Sequence, residues 1–116
     1  MKRIFIDFLE DILQSINDIE DFSSGQTFDE FISDKKTVLA SLASLQIIGE
    51  ASNKVPQDVR EIYPEIPWKS IIGLRNKIVH EYFGLHNRVI WEIIHNELPQ
   101  LKPQIIKIIE EQKDLL

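Results

Sequence analysis

Arg75, His80 and Tyr82 are the side chains in this sequence best suited to act together on a phosphate. Arginine keeps its charge at any accessible pH and presents a planar fork of donors matched to a phosphate group. It could stabilise the charge that builds on a phosphorane-like transition state. Histidine titrates near neutrality and could move a proton to or from a ribose 2′-hydroxyl or a leaving oxygen. A tyrosine hydroxyl could bond the phosphate or position the sugar. Together the three could serve RNA cleavage without a metal. The plainer alternative is that cations near a helix C-terminus are favoured by the helix dipole alone.

These residues need a helix to place them, and the stretch around them predicts one from Trp68 to about Tyr82, with Pro67 suited to its first turn and Gly84 to its end. On that helix Arg75 falls in an apolar arc with Ile71, Ile72, Ile78 and Val79, a costly position unless something anionic meets it. His80 lies about 140° around the helix from Arg75, so the two do not converge on one straight helix. Either the helix stops near Val79 or the same segment of a second chain completes the site across a twofold axis. The second option, which predicts a homodimer, also explains an arginine facing apolar surface. Lys77 and Arg88 flank the set and are candidate phosphate contacts, with solvated charge the equal alternative.

The remaining elements are helical as well. Phe5, Phe8, Leu9, Ile12, Ile16 and Ile19 recur at helical spacing over residues 2–22, and Ser23-Ser24-Gly25 ends that helix. Thr27-Phe28-Asp29-Glu30 has the form of a capping box opening a short second helix. From about Asp34 to Lys54 a wide apolar surface (Val38, Leu39, Leu42, Leu45, Ile47, Ile48, Ala51) predicts a central helix, stopped by Pro56. A helical turn from Asp58 to Tyr63, a helix from Asn87 to Glu97 and a last one on Leu101, Ile105, Ile106 and Ile109 follow, with Pro99 expected to interrupt or kink the chain. No segment alternates like a strand. The expectation is all-α: one domain over residues 1–116, an antiparallel bundle of four to five helices.

Composition narrows the functional classes. A net charge of −6 argues against a broad nucleic-acid-binding face, so any RNA chemistry must rest on a few placed cations. Cysteine is absent, which removes disulfides and thiolate metal sites. Neither a membrane-length apolar run nor a signal-peptide core is present, and a cytoplasmic protein is expected. His80-Glu81 begins like a zinc-protease helix, but Gly84 stands where the second histidine belongs. His86 and His95 read as surface histidines, Glu50 as a solvated or interface carboxylate, and Trp68 and Trp91 as packing anchors, Trp91 against Ile71 and Ile78. No metal or cofactor is expected.

The spacing Arg75–x4–His80–x–Tyr82 resembles the Arg-x4-His-x-Tyr motif of HEPN-domain toxins. So do Ile47-Ile48-Gly49-Glu50-Ala51, Tyr63-Pro64-Glu65-Ile66-Pro67-Trp68, Ile72-Gly73-Leu74-Arg75 and Trp91-Glu92-Ile93-Ile94 with Leu98-Pro99, which follow the HepT-like family in register along nearly the whole chain. The resemblance implies a HEPN-like helical bundle that forms homodimers, or higher oligomers, with Arg75 and His80 as the catalytic pair in an interface cleft. It implies a metal-independent endoribonuclease acting as the toxin of a toxin–antitoxin pair. The implied antitoxin is a minimal nucleotidyltransferase that transfers AMP to Tyr82. The competing expectation is a non-catalytic helical partner of such a nucleotidyltransferase. In many relatives an Arg-Asn pair precedes the Gly-Glu-Ala phrase; here Ala43 and Ser44 stand there, and Gln46 where Glu is frequent.

Overall fold

The computed structural model describes residues 2–80 and 87–116, with side chains for all of these except 2–4, 79 and 80. Among them the chain is helices joined by short turns, with no strand. In order come α1 (Lys2–Ser23), α2 (Phe28–Ser33), α3 (Lys35–Lys54), α4 (Gln57–Ile62), α5 (Trp68–His80), α6 (Asn87–Glu92) and α7 (Leu98–Asp114). A π turn, Ile93–Glu97, joins α6 to α7 in one rod. Four long rods form the bundle that the spacing of apolar residues calls for, and α2 and α4 are short connectors.

Local sequence explains the boundaries. Gly25 takes φ +75°, a left-handed turn that few other residues adopt, and α1 stops there. Thr27 and Glu30 form the expected capping box: Glu30 N–H donates to Thr27 Oγ1 at 3.2 Å, and Thr27 N–H donates to Glu30 Oε1 at 2.9 Å. Asp34 ends α2 and caps α3, accepting from the Thr37 hydroxyl at 2.6 Å, Thr37 N–H at 3.1 Å and Gln26 Nε2 at 3.0 Å. Those donors, the Thr37 hydroxyl first, hold the Asp34 carboxyl below its ordinary pKa.

The core is the meeting of α1, α3 and α7, where Leu9, Ile12, Ile16, Ile19, Leu45, Ile105 and Ile108 are sealed from solvent. On α7 the buried residue is Ile108 rather than Ile106, which is only half-buried. On α3, Ser41, Ser44 and Ser52 are buried among the aliphatic residues, small side chains that let neighbouring helices approach. A polar tie closes the far end: the buried Tyr63 hydroxyl donates to Glu111 Oε2 at 2.9 Å and accepts from Gln112 Nε2 at 3.0 Å. Burial pushes the Tyr63 phenol above its ordinary pKa.

Two local expectations fail. Pro99 does not interrupt the chain, because the π turn lies just ahead of it: Leu98 N–H bonds to Ile93 O, five residues back, and Pro99 falls in the first turn of α7. A proline lacks the donor and crowds the carbonyl four residues earlier, so a widened turn there lets the rod continue. Trp91 packs on Phe28 and Phe31, with ring centroids 5.7 and 5.5 Å away. His95, one turn on, lies 3.6 Å from the Trp91 ring and is half-buried, not a free surface histidine.

Candidate functional site

The site begins at the crossing of α3 and α5. Gly49 sits where the two helices touch: a Cβ built on it would lie 2.2 Å from Arg75 Cβ and 3.1 Å from Arg75 Cα. Only a residue without a side chain permits that approach, and the approach fixes the root of Arg75. Beyond the root, the guanidinium leans along the α5 surface. Its Nη1 donates to Asn76 Oδ1 at 2.8 Å, and its Nε stands 3.9 Å from Glu50 Oε1. Gln46, one turn earlier on α3, donates to the same Glu50 oxygen at 3.2 Å. The Arg75 Nε is buried with no hydrogen-bond acceptor, while the side chain as a whole is 35% exposed. Glu50 thus faces that nitrogen at ion-pair distance without a hydrogen bond.

The helix runs to His80, one residue beyond Val79. His80 is its last described residue, and Tyr82 lies outside the described residues. Lys77 is exposed but sits about 160° around α5 from Arg75. It borders a groove of about 640 Å³ between α5, α3 and the α6–α7 rod, whose apolar wall includes Leu45, Ile48, Leu74 and Ile93. Arg88 is also exposed, and its guanidinium lies 3.8 Å above the Phe28 ring on α2. The structure thus gathers Gly49, Glu50, Gln46 and Asn76 around Arg75, while Lys77 borders the groove and Arg88 stacks on Phe28.

Glu50 and Gln46 are the members that reasoning from the motif passed over. Their four-residue spacing marks one face of α3, but only the fold shows that this face meets Arg75. An exposed apolar strip, Leu39 and Ile47, continues along α3 on the side where Glu50 emerges. Such an arrangement can bind a phosphate through the outward edge of one held guanidinium; protons must be moved by another group.

A helical bundle with a motif arginine locked at the crossing of two of its helices defines the class. Residues 12–108 match the family model described as Ribonuclease HepT-like. The chain belongs to this family, and ribonuclease is the activity that membership supports. It is 43% identical to a Thermococcus cleftensis protein named "Probable ribonuclease HepT", over 93% of this chain and 98% of that one. It is 45% identical to a Methanocaldococcus jannaschii protein named as a candidate RNase, over 90% of this chain and 86% of that one. A third relative of similar name, from Caldanaerobacter subterraneus subsp. tengcongensis, is 41% identical over 91% and 95%. No solved structure matches significantly. No helix among the described residues is long and apolar enough to cross a membrane.

Proposed function

We propose that this chain is a metal-independent endoribonuclease and the toxin of a toxin–antitoxin pair, acting in the cytoplasm as a homodimer. The observation that carries the reading is Arg75, held by Gly49 and Glu50 with part of its guanidinium open to solvent, inside a family match that spans the whole motif. In this reading Arg75 grips the scissile phosphate and offsets the charge gained in the transition state. His80 takes the proton of the 2′-hydroxyl as its oxygen bonds to phosphorus, or returns a proton to the 5′-oxygen as the P–O bond breaks. The fragments are a 2′,3′-cyclic phosphate and a free 5′-hydroxyl.

The span of α5 supports a second copy, because positions five apart on one helix lie about 140° apart around its axis. Leu39 and Ile47, 43% and 45% exposed, give that copy an apolar seat beside Glu50. Regulation follows from Tyr82 in the same reading. On the helix that the sequence predicts to about Tyr82, a position seven residues from Arg75 has nearly the same bearing, so AMP attached there by a partner nucleotidyltransferase would offer Arg75 a competing phosphate and fill the cleft. The net charge of −6 and the Ala43-Ser44 pair favour a second reading, a non-catalytic partner of the nucleotidyltransferase. Purified protein separates the two: the first predicts metal-free cleavage of RNA and a 329 Da mass gain per AMP (about the mass of AMP less water) on coexpression, lost in Tyr82→Phe. Absence of cleavage by the unmodified protein leaves only the second.

A further inference from the structure

A second cationic pocket lies along the same edge of α5. It is a cleft of about 450 Å³ where α4 crosses the start of α5 over the end of α3, lined among others by Asn53, Gln57, Arg60, Glu61 and Lys69. Two features set it apart on a surface whose net charge is −6. First, the Arg60 Nε is buried without an acceptor, the same condition as the Arg75 Nε; these are the two buried guanidinium donors left unpaired among the described residues. A buried donor without a partner carries a cost of about 1–3 kcal/mol that an arriving anion removes. Second, Lys69, Ile72 and Asn76 stand at helical spacing on one stripe of α5, and Asn76 is the residue that accepts the Arg75 guanidinium. The pocket and the Arg75 guanidinium are therefore neighbours on one face, about 10 Å apart along the axis from Lys69 to Asn76. A single strand laid along that face covers the distance in about two nucleotides.

We infer that Arg60 and Lys69 form a subsite for a backbone phosphate flanking the scissile one, which sets the register of a single-stranded RNA on Arg75. This rests on the ribonuclease reading and extends it. The groups fit the ligand: Arg60 and Lys69 supply charge, and the Asn53 amide supplies a neutral donor. Glu61 opposes the phosphate, and Gln57, donating to it at 3.3 Å, holds its carboxylate in place. The subsite accounts for how an acidic protein holds RNA, since two placed cations do what a basic face does elsewhere.

The test uses the purified full-length protein and a fluorescent single-stranded RNA made entirely of 2′-O-methyl nucleotides, which cannot be cut through the 2′-hydroxyl. Anisotropy titrations are run from about 50 to 200 mM salt. Arg60→Gln with Lys69→Gln is expected to weaken binding about tenfold and to lower the slope of log K against log salt by about 0.7 for one lost phosphate contact. Glu61→Gln is expected to shift affinity the other way, and Lys107→Gln, a charge removed from the exposed face of α7, to leave the slope unchanged. With cleavable RNA, the double variant raises KM and leaves kcat in place. Unchanged affinity and slope in a double variant that melts like the parent overturn the subsite, as does an equal loss in Lys107→Gln or failure of the parent to bind. The ribonuclease reading fails on a different result, namely no cleavage by the parent or full cleavage by Arg75→Ala.

Discussion

Replacing Gly49 by alanine tests the geometry on which the site depends. The added methyl would lie 2.2 Å from Arg75 Cβ, against about 3.5–4.0 Å for ordinary carbon contacts. Arg75 Cβ sits on the backbone and cannot swing aside like a side-chain tip, so α5 must move away by roughly 1.5 Å. Overpacking of this kind costs about 1–3 kcal/mol, and the better helix propensity of alanine returns up to about 1 kcal/mol. The net is a loss of up to about 2 kcal/mol, or a Tm lower by up to roughly 10 °C in a domain near this size. Because the displaced atom carries the guanidinium, cleavage should fall by more than stability does; a misplacement of about 1 Å can cost on the order of 100-fold. Gly73 is the internal control. It lies on the same helix with nothing within 4 Å of a built Cβ, so Gly73→Ala should raise Tm by a few degrees through propensity alone, on the order of 1 kcal/mol. Thermal melting by far-ultraviolet circular dichroism reads both. If Gly49→Ala also raises Tm, α3 and α5 do not meet as described and the account of Arg75 placement fails.

Tyr63→Phe removes the hydroxyl that donates to Glu111 and accepts from buried Gln112, and urea unfolding should show a loss of about 1–3 kcal/mol; no loss would mean the tie between α4 and α7 carries nothing. Asp34 has its pKa lowered in the folded chain, so its contribution is complete above the ordinary carboxylate value of about 4 and fades as pH falls through the lower folded value. Asp34→Asn should therefore be less stable than the parent at neutral pH and converge with it in acid, and parallel stability–pH curves would contradict the cap. EDTA should leave RNA cleavage unchanged, because the proposed chemistry uses a guanidinium and an imidazole; inhibition reversed by added metal would refute that mechanism.

Much of the bundle is legible in the sequence because it is set locally. The Thr27–Glu30 capping box, the stops at Gly25 and Pro56 and the apolar stripes of α1, α3 and α7 are read within a few turns of chain. What escaped depends on distant partners. The π turn is invisible in periodicity because Pro99 announces a break without saying how the preceding turn absorbs it. Arg75 was identifiable by type and spacing, and the anion it needs was foreseeable in kind, but Glu50 became its partner only through the contact that Gly49 allows.

The central claim is that Arg75 and His80 cut RNA together, and steady-state cleavage of single-stranded RNA by Arg75→Ala and His80→Ala tests it most directly. Each is expected to lower kcat by about 10²–10⁴-fold while melting within a few degrees of the parent. The double variant should be little worse than either single one, as for groups acting in one step. Near-parental cleavage by either folded single variant would contradict the account.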